Sequence, residues 1–317
     1  MNKKKYVNRN YLTTTRIIAL GFLITVIVGT ILLSLPIASA NGTWTDLLTA
    51  AFTSTTSVCV TGLVVVDTFS YWSLFGKGVI LILIQIGGLG IVSIITLFML
   101  LFRMKITLKS TMLLQDAFNL NSKQGLLKFT IKVIKGTFLI EGIGAFIYSF
   151  YYCREYGLLK GIWFSVFHAV SAFCNAGIDI MGADSLISYH SNLLMMLNTS
   201  FLIIMGGIGF IVWWDTVEAF RRIRTKKCSI RSAWNGVHLQ TKIAIFMTLL
   251  LLIGGTVVIY FLERSNPDTL GNLSEKDRIL NAFFQSVTLR TAGFAAVPQA
   301  ALRPVTAFFG ALLMMIG

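Results

Sequence analysis

The chain has 317 residues, 55% of them hydrophobic and only 13% charged, and its mean hydropathy is +0.76. That balance excludes an ordinary soluble domain. The formal charge of +14 excludes less, but the basic residues sit in short loops between apolar runs and share no single face, so nucleic acid is not the expected partner.

A bilayer crossing needs about 20 apolar residues. In chain order, spans are predicted over residues 15–35, 74–102, 133–152, 193–214 and 243–262, and a sixth begins near Val305 and is still running at Gly317. The first reads as a span and not as a cleaved leader. Basic residues precede the first span (Lys3 to Arg16), follow the second (Arg103 to Lys135) and follow the fourth (Arg221 to Lys242). Acids such as Asp46, Asp67, Asp184, Asp268 and Glu275 occupy the other loops. Short loops rich in Lys and Arg stay in the cytoplasm. The N-terminus and the loops around Lys109 and Lys226 are therefore expected inside, with Asp184 and Asn272 outside. Contact with anionic lipid or a partner is a second use of the basic loops. The cysteines (Cys59, Cys153, Cys174 and Cys228) have no zinc or redox spacing.

Between paired spans lie segments too short to cross. Thr43 is expected to cap a short helix over residues 44–54, a second covers 162–171, and Ser274 to Asp277 open a third over 278–287. Each such segment starts and ends on one side, so it must enter the membrane and return. Backbone of that kind is tolerated only where protein encloses it or it lines water. The plan of helix, short helix, glycine strip and helix thus recurs over residues 1–105, 106–235 and 236–317. The third copy is expected to be incomplete.

The strips align on Gly62, Gly177 and Gly293, each ten residues after a phenylalanine: Phe52, Phe167 and Phe283. The candidate ion-binding residues are Cys59, Val60, Thr61 and Gly62; Cys174, Asn175, Ala176 and Gly177; and Arg290, Thr291, Ala292 and Gly293. An ion leaving water needs oxygens in place of its hydration shell, and rings of backbone carbonyls supply them. Glycine reaches positive φ without steric cost and so lets carbonyls turn inward. The C-terminal ends of the short helices favour a cation where they converge, and no carboxylate lies in any strip. Arg290 is expected behind its strip, with Asp179 and Glu141 as candidate partners. Glu141 is equally a functional acid or a structural group, in a helix-packing contact or a salt bridge with Lys135. His168, between Ser165 and Ser171, invites a hydrolase reading, but a hydrogen-bonded structural histidine is expected. Gly87, Gly88 and Gly90, with Gly206, Gly207 and Gly209, are expected to pack against the short helices. Trp72, Trp163, Trp213 and Trp214 are expected at the membrane interface.

The strips, Ser286 to Phe294 above all, resemble the pore loops of the Trk/Ktr/HKT potassium transporter superfamily. Ile86-Gly87-Gly88-Leu89-Gly90 and Met205-Gly206-Gly207-Ile208-Gly209 resemble glycine-rich positions in its post-pore helices. The early entry into the first span is most similar to the KtrB branch, the membrane subunits of bacterial Ktr systems. The resemblance covers the whole chain. It implies an all-α membrane protein of tandem helix–pore loop–helix repeats around a central pore. It implies potassium uptake across a bacterial plasma membrane, with K+ held by the strip carbonyls, a role for Na+, no bound cofactor and no enzymatic step. It also implies a homodimer on a cytoplasmic ring of nucleotide-binding, KtrA/KtrC-like regulatory subunits. The superfamily has four units where two and a half are expected here, and its gating loop would lie just beyond Gly317. Two readings compete: a secondary transporter with broken helices, usually built from inverted repeats, and an intramembrane hydrolase.

Overall fold

The computed structural model of the chain describes residues 14–90, 93–94, 126–182, 184–226 and 229–316. Lys3 to Arg9, Arg103 to Lys123, Lys227, Cys228 and the far end of the expected second span lie outside the described residues.

The regular elements among the described residues are helical, and one order occurs three times. A long apolar helix, α1 (Thr14–Ser34), is followed by the short α2 (Leu47–Val58), the single turn α3 (Thr68–Tyr71) and α4 (Leu74–Leu89). Next come α5 (Leu126–Tyr156), α6 (Leu158–Phe173) and α7 (Leu193–Gly207). After α8 (Phe210–Lys226) and α9 (Ile230–Asn235), the plan recurs as α10 (Leu239–Glu263), α11 (Glu275–Thr288) and α12 (Pro304–Ile316).

Local chemistry sets the helix starts. Asp46 accepts from the Leu48 and Thr49 N–H groups at 3.1 and 3.4 Å and caps α2. The expected cap, Thr43, lies too early. A carboxylate one residue before the helix satisfies two orphan donors and meets the positive helix end. Ser274 caps α11 as expected, through the Asp277 N–H at 3.3 Å. α12 begins on Pro304, whose missing N–H costs nothing at a first helical position. Its exposed donors are met from α10. Glu263, fully buried, accepts from the Arg303 N–H at 2.9 Å and the Thr306 hydroxyl at 2.5 Å. Its other oxygen accepts from Asn266 at 2.7 Å and Thr269 at 2.6 Å.

α1, α5 and α10 are long and apolar enough to cross a membrane, which makes this a multi-pass membrane protein. The expected span over 193–214 is not one rod: α7 and α8 meet at 101°. Gly209, with φ 92°, turns the chain there, and Gly90, with φ 77°, ends α4 in the same way. A positive φ cannot continue a right-handed helix.

Each short helix packs on the long helix of its own unit: α2 on α1, α6 on α5 and α11 on α10. α6 also packs on α4, and α11 on α7, so each unit leans on the last helix of the unit before it. The core therefore gathers around the short helices, with Phe167, Phe173, Phe284 and Phe294 buried there beside Ser54, Ser57, Ser171 and Thr288. The long helices turn Ile24, Ile31, Phe146, Phe246 and Ile253 outward, as a lipid solvent requires. Two expected interface tryptophans belong to this core instead. Trp72 is buried beside Tyr71, and Trp213 packs on Phe173 and donates to the Met205 carbonyl at 2.8 Å.

Candidate functional site

α2, α6 and α11 end on Cys59, Cys174 and Leu289, and the strips that follow converge. A Cβ placed on Gly177 would lie 2.6 Å from the Gly293 Cα, and one on Gly62 would lie 2.8 Å from the Ala176 oxygen. A Cβ on Gly293 would reach the Gly177 Cα at 3.1 Å and the Gly62 Cα at 3.7 Å. Glycines remote in sequence thus meet, with φ values of 82°, 62° and 87° for Gly62, Gly177 and Gly293.

The same geometry holds a feature that the sequence hid. Val60, Asn175 and Thr291 also have positive φ, at 55°, 58° and 66°. Each stands two residues before its strip glycine. Alternating left- and right-handed residues turn successive peptide groups toward one side, whereas a uniform strand alternates them. Asparagine tolerates this conformation, but β-branched valine and threonine are strained in it by about 1–3 kcal/mol each. Strain of this kind persists only where the surroundings over-determine it.

Those surroundings are specific. The Thr56 hydroxyl accepts from the Leu63 N–H at 3.1 Å. Ser171 donates to the Ile178 carbonyl at 2.5 Å, and Thr288 to that of Phe294 at 2.7 Å. Each bond ties the end of a short helix to the residue just past its glycine. Thr56 and Ser171 lie six residues before their glycines but Thr288 only five, so the third brace stands one residue nearer its glycine. Aligned on these hydroxyls, Phe284 is the counterpart of Phe167, and both are fully buried. The glycine spacing had pointed to Phe283. Phe52, at the first position, is 38% exposed.

Glycines elsewhere let these parts approach. A Cβ on Gly87 would strike the Val58 carbonyl, one on Gly206 the Phe173 carbonyl, and one on Gly88 the Cys174 side chain. Gly29 and Gly255 face the hydroxyls of Ser54 and Ser286, which donate to Val26 at 2.8 Å and Leu252 at 3.1 Å. Gly90 and Gly209 do not share the expected packing role, because a Cβ on either would meet nothing within 4 Å. They are chain breaks.

On one side of the three glycines opens a cavity of about 340 Å³ bordered by Asp67, Asp179 and Ser185. Asp67 caps α3. Burial pushes its carboxyl upward, but the Ser70 hydroxyl, the Phe69 and Ser70 N–H groups and nearby Lys77 hold it below its usual value. Asp179 accepts from the Met181 N–H at 3.2 Å.

A family model described as TrkH, cation transport protein, matches residues 3–317. The chain belongs to the TrkH cation transport family. It is 39% identical over 309 residues to the potassium/sodium uptake protein NtpJ of Enterococcus hirae, covering 98% of this chain and 65% of that protein. It is 38% identical to the Ktr system potassium uptake protein B of Bacillus subtilis, covering 100% of this chain and 68% of the relative. The Vibrio alginolyticus protein of the same name is 34% identical, with 95% and 64% covered. The chain thus spans about two thirds of the length of these curated relatives. Its fold is shared with the crystal structure of the potassium transporter TrkH from Vibrio parahaemolyticus, at a TM-score of 0.61 and 15% identity over 98% of this chain and 57% of that one.

Three polar residues of this TrkH-family chain stand behind the strips in ways the sequence did not specify. The Arg290 guanidinium reaches away toward α10, donating to the Thr248 hydroxyl at 3.5 Å. Neither expected partner is shown beside it. Glu141 is held by the Gln85 amide at 3.0 Å, and Asp179 by Met181. The Gln85 bond links α5 to α4, which is a contact between helices and not a salt bridge with Lys135. His168 is 1% exposed, and neither ring nitrogen has a hydrogen-bond partner among the described residues. The expected hydrogen-bonded histidine is therefore absent. Nor do the described residues form a hydrolase pair with it, because Ser165 donates to Gly161 and Ser171 to Ile178.

Proposed function

We propose that this chain carries potassium ions across a bacterial plasma membrane as the ion-translocating part of a Ktr-type uptake system. The observation that carries the reading is the convergence of three strips, each with a left-handed residue two positions before a left-handed glycine. Residues 1–105, 106–235 and 236–317 then act as successive pore units. The carbonyls of Cys59 to Gly62, Cys174 to Gly177 and Arg290 to Gly293 replace the water around the ion. The C-terminal ends of α2, α6 and α11 add a negative potential. As placed, the three glycines are in contact, so conduction requires the strips to stand further apart by about an ion's width. The cavity beside Asp67 and Asp179 is the outer entrance. The N-terminus and the basic loops face the cytoplasm, as the charge asymmetry directs. The names of the relatives support potassium, and in one case sodium, as the ion. A homodimer seated on a nucleotide-binding regulatory ring completes the proposal, with Lys109, Lys226 and Lys227 in the docking loops. Charge reversal there weakens co-purification with the soluble subunit, and undiminished recovery would place docking elsewhere.

The decisive experiment expresses the full-length protein in a potassium-uptake-deficient bacterium. Gly177→Asp and Gly293→Asp each lower the K+/Na+ uptake ratio or abolish uptake. Wild-type rate and ratio in both would remove the filter from the proposal.

A further inference from the structure

His168 has no part in the site as described, yet its surroundings are specific. It lies on α6, three residues before the bracing Ser171. Burying an imidazole without a hydrogen bond is unfavourable, and such a group calls for a reason. Its nitrogens supply none among the described residues, which leaves the ring itself. Tyr148 meets it edge-on, with centroids 4.9 Å apart at 78°, and Tyr152 does so at 6.0 Å and 63°. Both tyrosines belong to α5 of the same unit, and Tyr148 is fixed by a 2.7 Å bond to Thr199. The third neighbour is different: Phe294 lies 4.9 Å away at 38°. It belongs to the next unit and directly follows Gly293.

Phe294 stands at a junction. Its carbonyl is held by Thr288 of its own unit. The next residue, Ala295, is tied to the preceding unit, accepting from the Leu186 N–H at 2.9 Å and donating to the Ser185 hydroxyl at 3.5 Å. Hydrogen bonds thus hold Ala295 and the Phe294 carbonyl, while the Phe294 ring rests against His168. Gly177 and Gly293 are in close contact, so their spacing is sensitive to a small shift at Phe294.

We propose that His168 is a positioning residue for ion selectivity. Its ring, clamped by Tyr148 and Tyr152, seats Phe294 and thereby sets the separation of the second and third strips. The inference rests on the strips being the filter. It assigns His168 no contact with the ion and no proton transfer.

The test measures the K+/Na+ uptake ratio of the full-length protein in the uptake-deficient strain, alongside membrane yield. His168→Ala lowers the ratio by at least about fivefold, the scale of coupling between residues in contact. Phe294→Ala does the same, and the double variant is no worse than the poorer single one, because both remove one contact. Should H168A not accumulate, Phe294→Leu probes the contact from the other side with the same expected loss. A wild-type ratio in H168A (or in F294L if H168A is lost), whatever its stability, overturns the inference. Effects that simply multiply in the double variant overturn it too. Gly293→Ala separates this result from the broader reading. If G293A changes the ratio and H168A does not, only the role of His168 falls. If neither changes it, the filter assignment falls as well.

Discussion

Gly206→Ala tests the packing that holds the second strip. Gly206 lies on α7 against the last turn of α6. An added Cβ would overlap the Phe173 carbonyl oxygen and lie 2.8 Å from its carbon. Both are backbone atoms, so no side-chain rotation relieves the overlap, and the end of α6 must move. Overpacking of this kind costs about 1–3 kcal/mol. Alanine regains about 0.5–1 kcal/mol of helix propensity. The net expectation is a loss of about 1–2 kcal/mol, or roughly 5–30-fold in the folded-to-unfolded ratio. Gly254→Ala is the control, since a Cβ there meets nothing within 4 Å. It retains only the propensity gain. Thermal melts of both variants in one detergent should place G206A several degrees below wild type and G254A at or above it. The displaced α6 end also carries Cys174 to Gly177, so G206A should lose ion preference as well. A G206A protein as stable as G254A would mean that α6 does not abut Gly206, and the strip geometry would lose its support.

Three further outcomes are expected. Glu263→Gln sets an amide NH2 against donors that the carboxylate now satisfies, at a cost of about 1–3 kcal/mol visible as a lowered melting temperature; an unchanged melt would dispute the four-donor cradle. Asp67 has a folded pKa below its usual 3.8, so its contribution is present above about pH 4 and is lost as pH falls through the folded value. Asp67→Asn should make the acid limb of stability shallower below pH 4, and identical acid titrations of the two proteins would contradict the assignment. In a cysteine-free background, single cysteines at positions 184 and 272 should react with an impermeant maleimide in intact cells and one at 221 should not; labelling at 221 would invert the topology.

Much of the fold was legible because apolar run length and loop charge act through the bilayer, whatever the tertiary contacts. The three short helices and their strips were visible for the same reason: a segment too short to cross must return. Caps were legible only in part. Ser274 won its end because nothing competed, whereas Thr43 lost to Asp46. The straight span over 193–214 was misread because apolarity does not report the backbone angle at Gly209. At the site, glycine marked one left-handed position per strip. Val60 and Thr291 carry no such signal, since β-branched residues adopt that conformation only under tertiary constraint. The one-residue shift of the Thr288 brace was equally silent, because a match on glycine spacing absorbs it into Phe283. His168 was misjudged because sequence shows that an imidazole is present but not whether its neighbours are polar.

Arg290 shows what covalent linkage of the units permits. It sits in one strip and turns its charge outward to Thr248 on α10, while the matching places hold neutral Cys59 and Cys174. In a pore of identical subunits, one codon writes every wall, and a guanidinium beside the axis would appear all the way round. A tandem chain escapes that constraint. Each unit mutates separately, so a cation, a shifted brace or an asparagine is confined to a single strip. Selection can therefore alter one strip while the others keep their left-handed geometry.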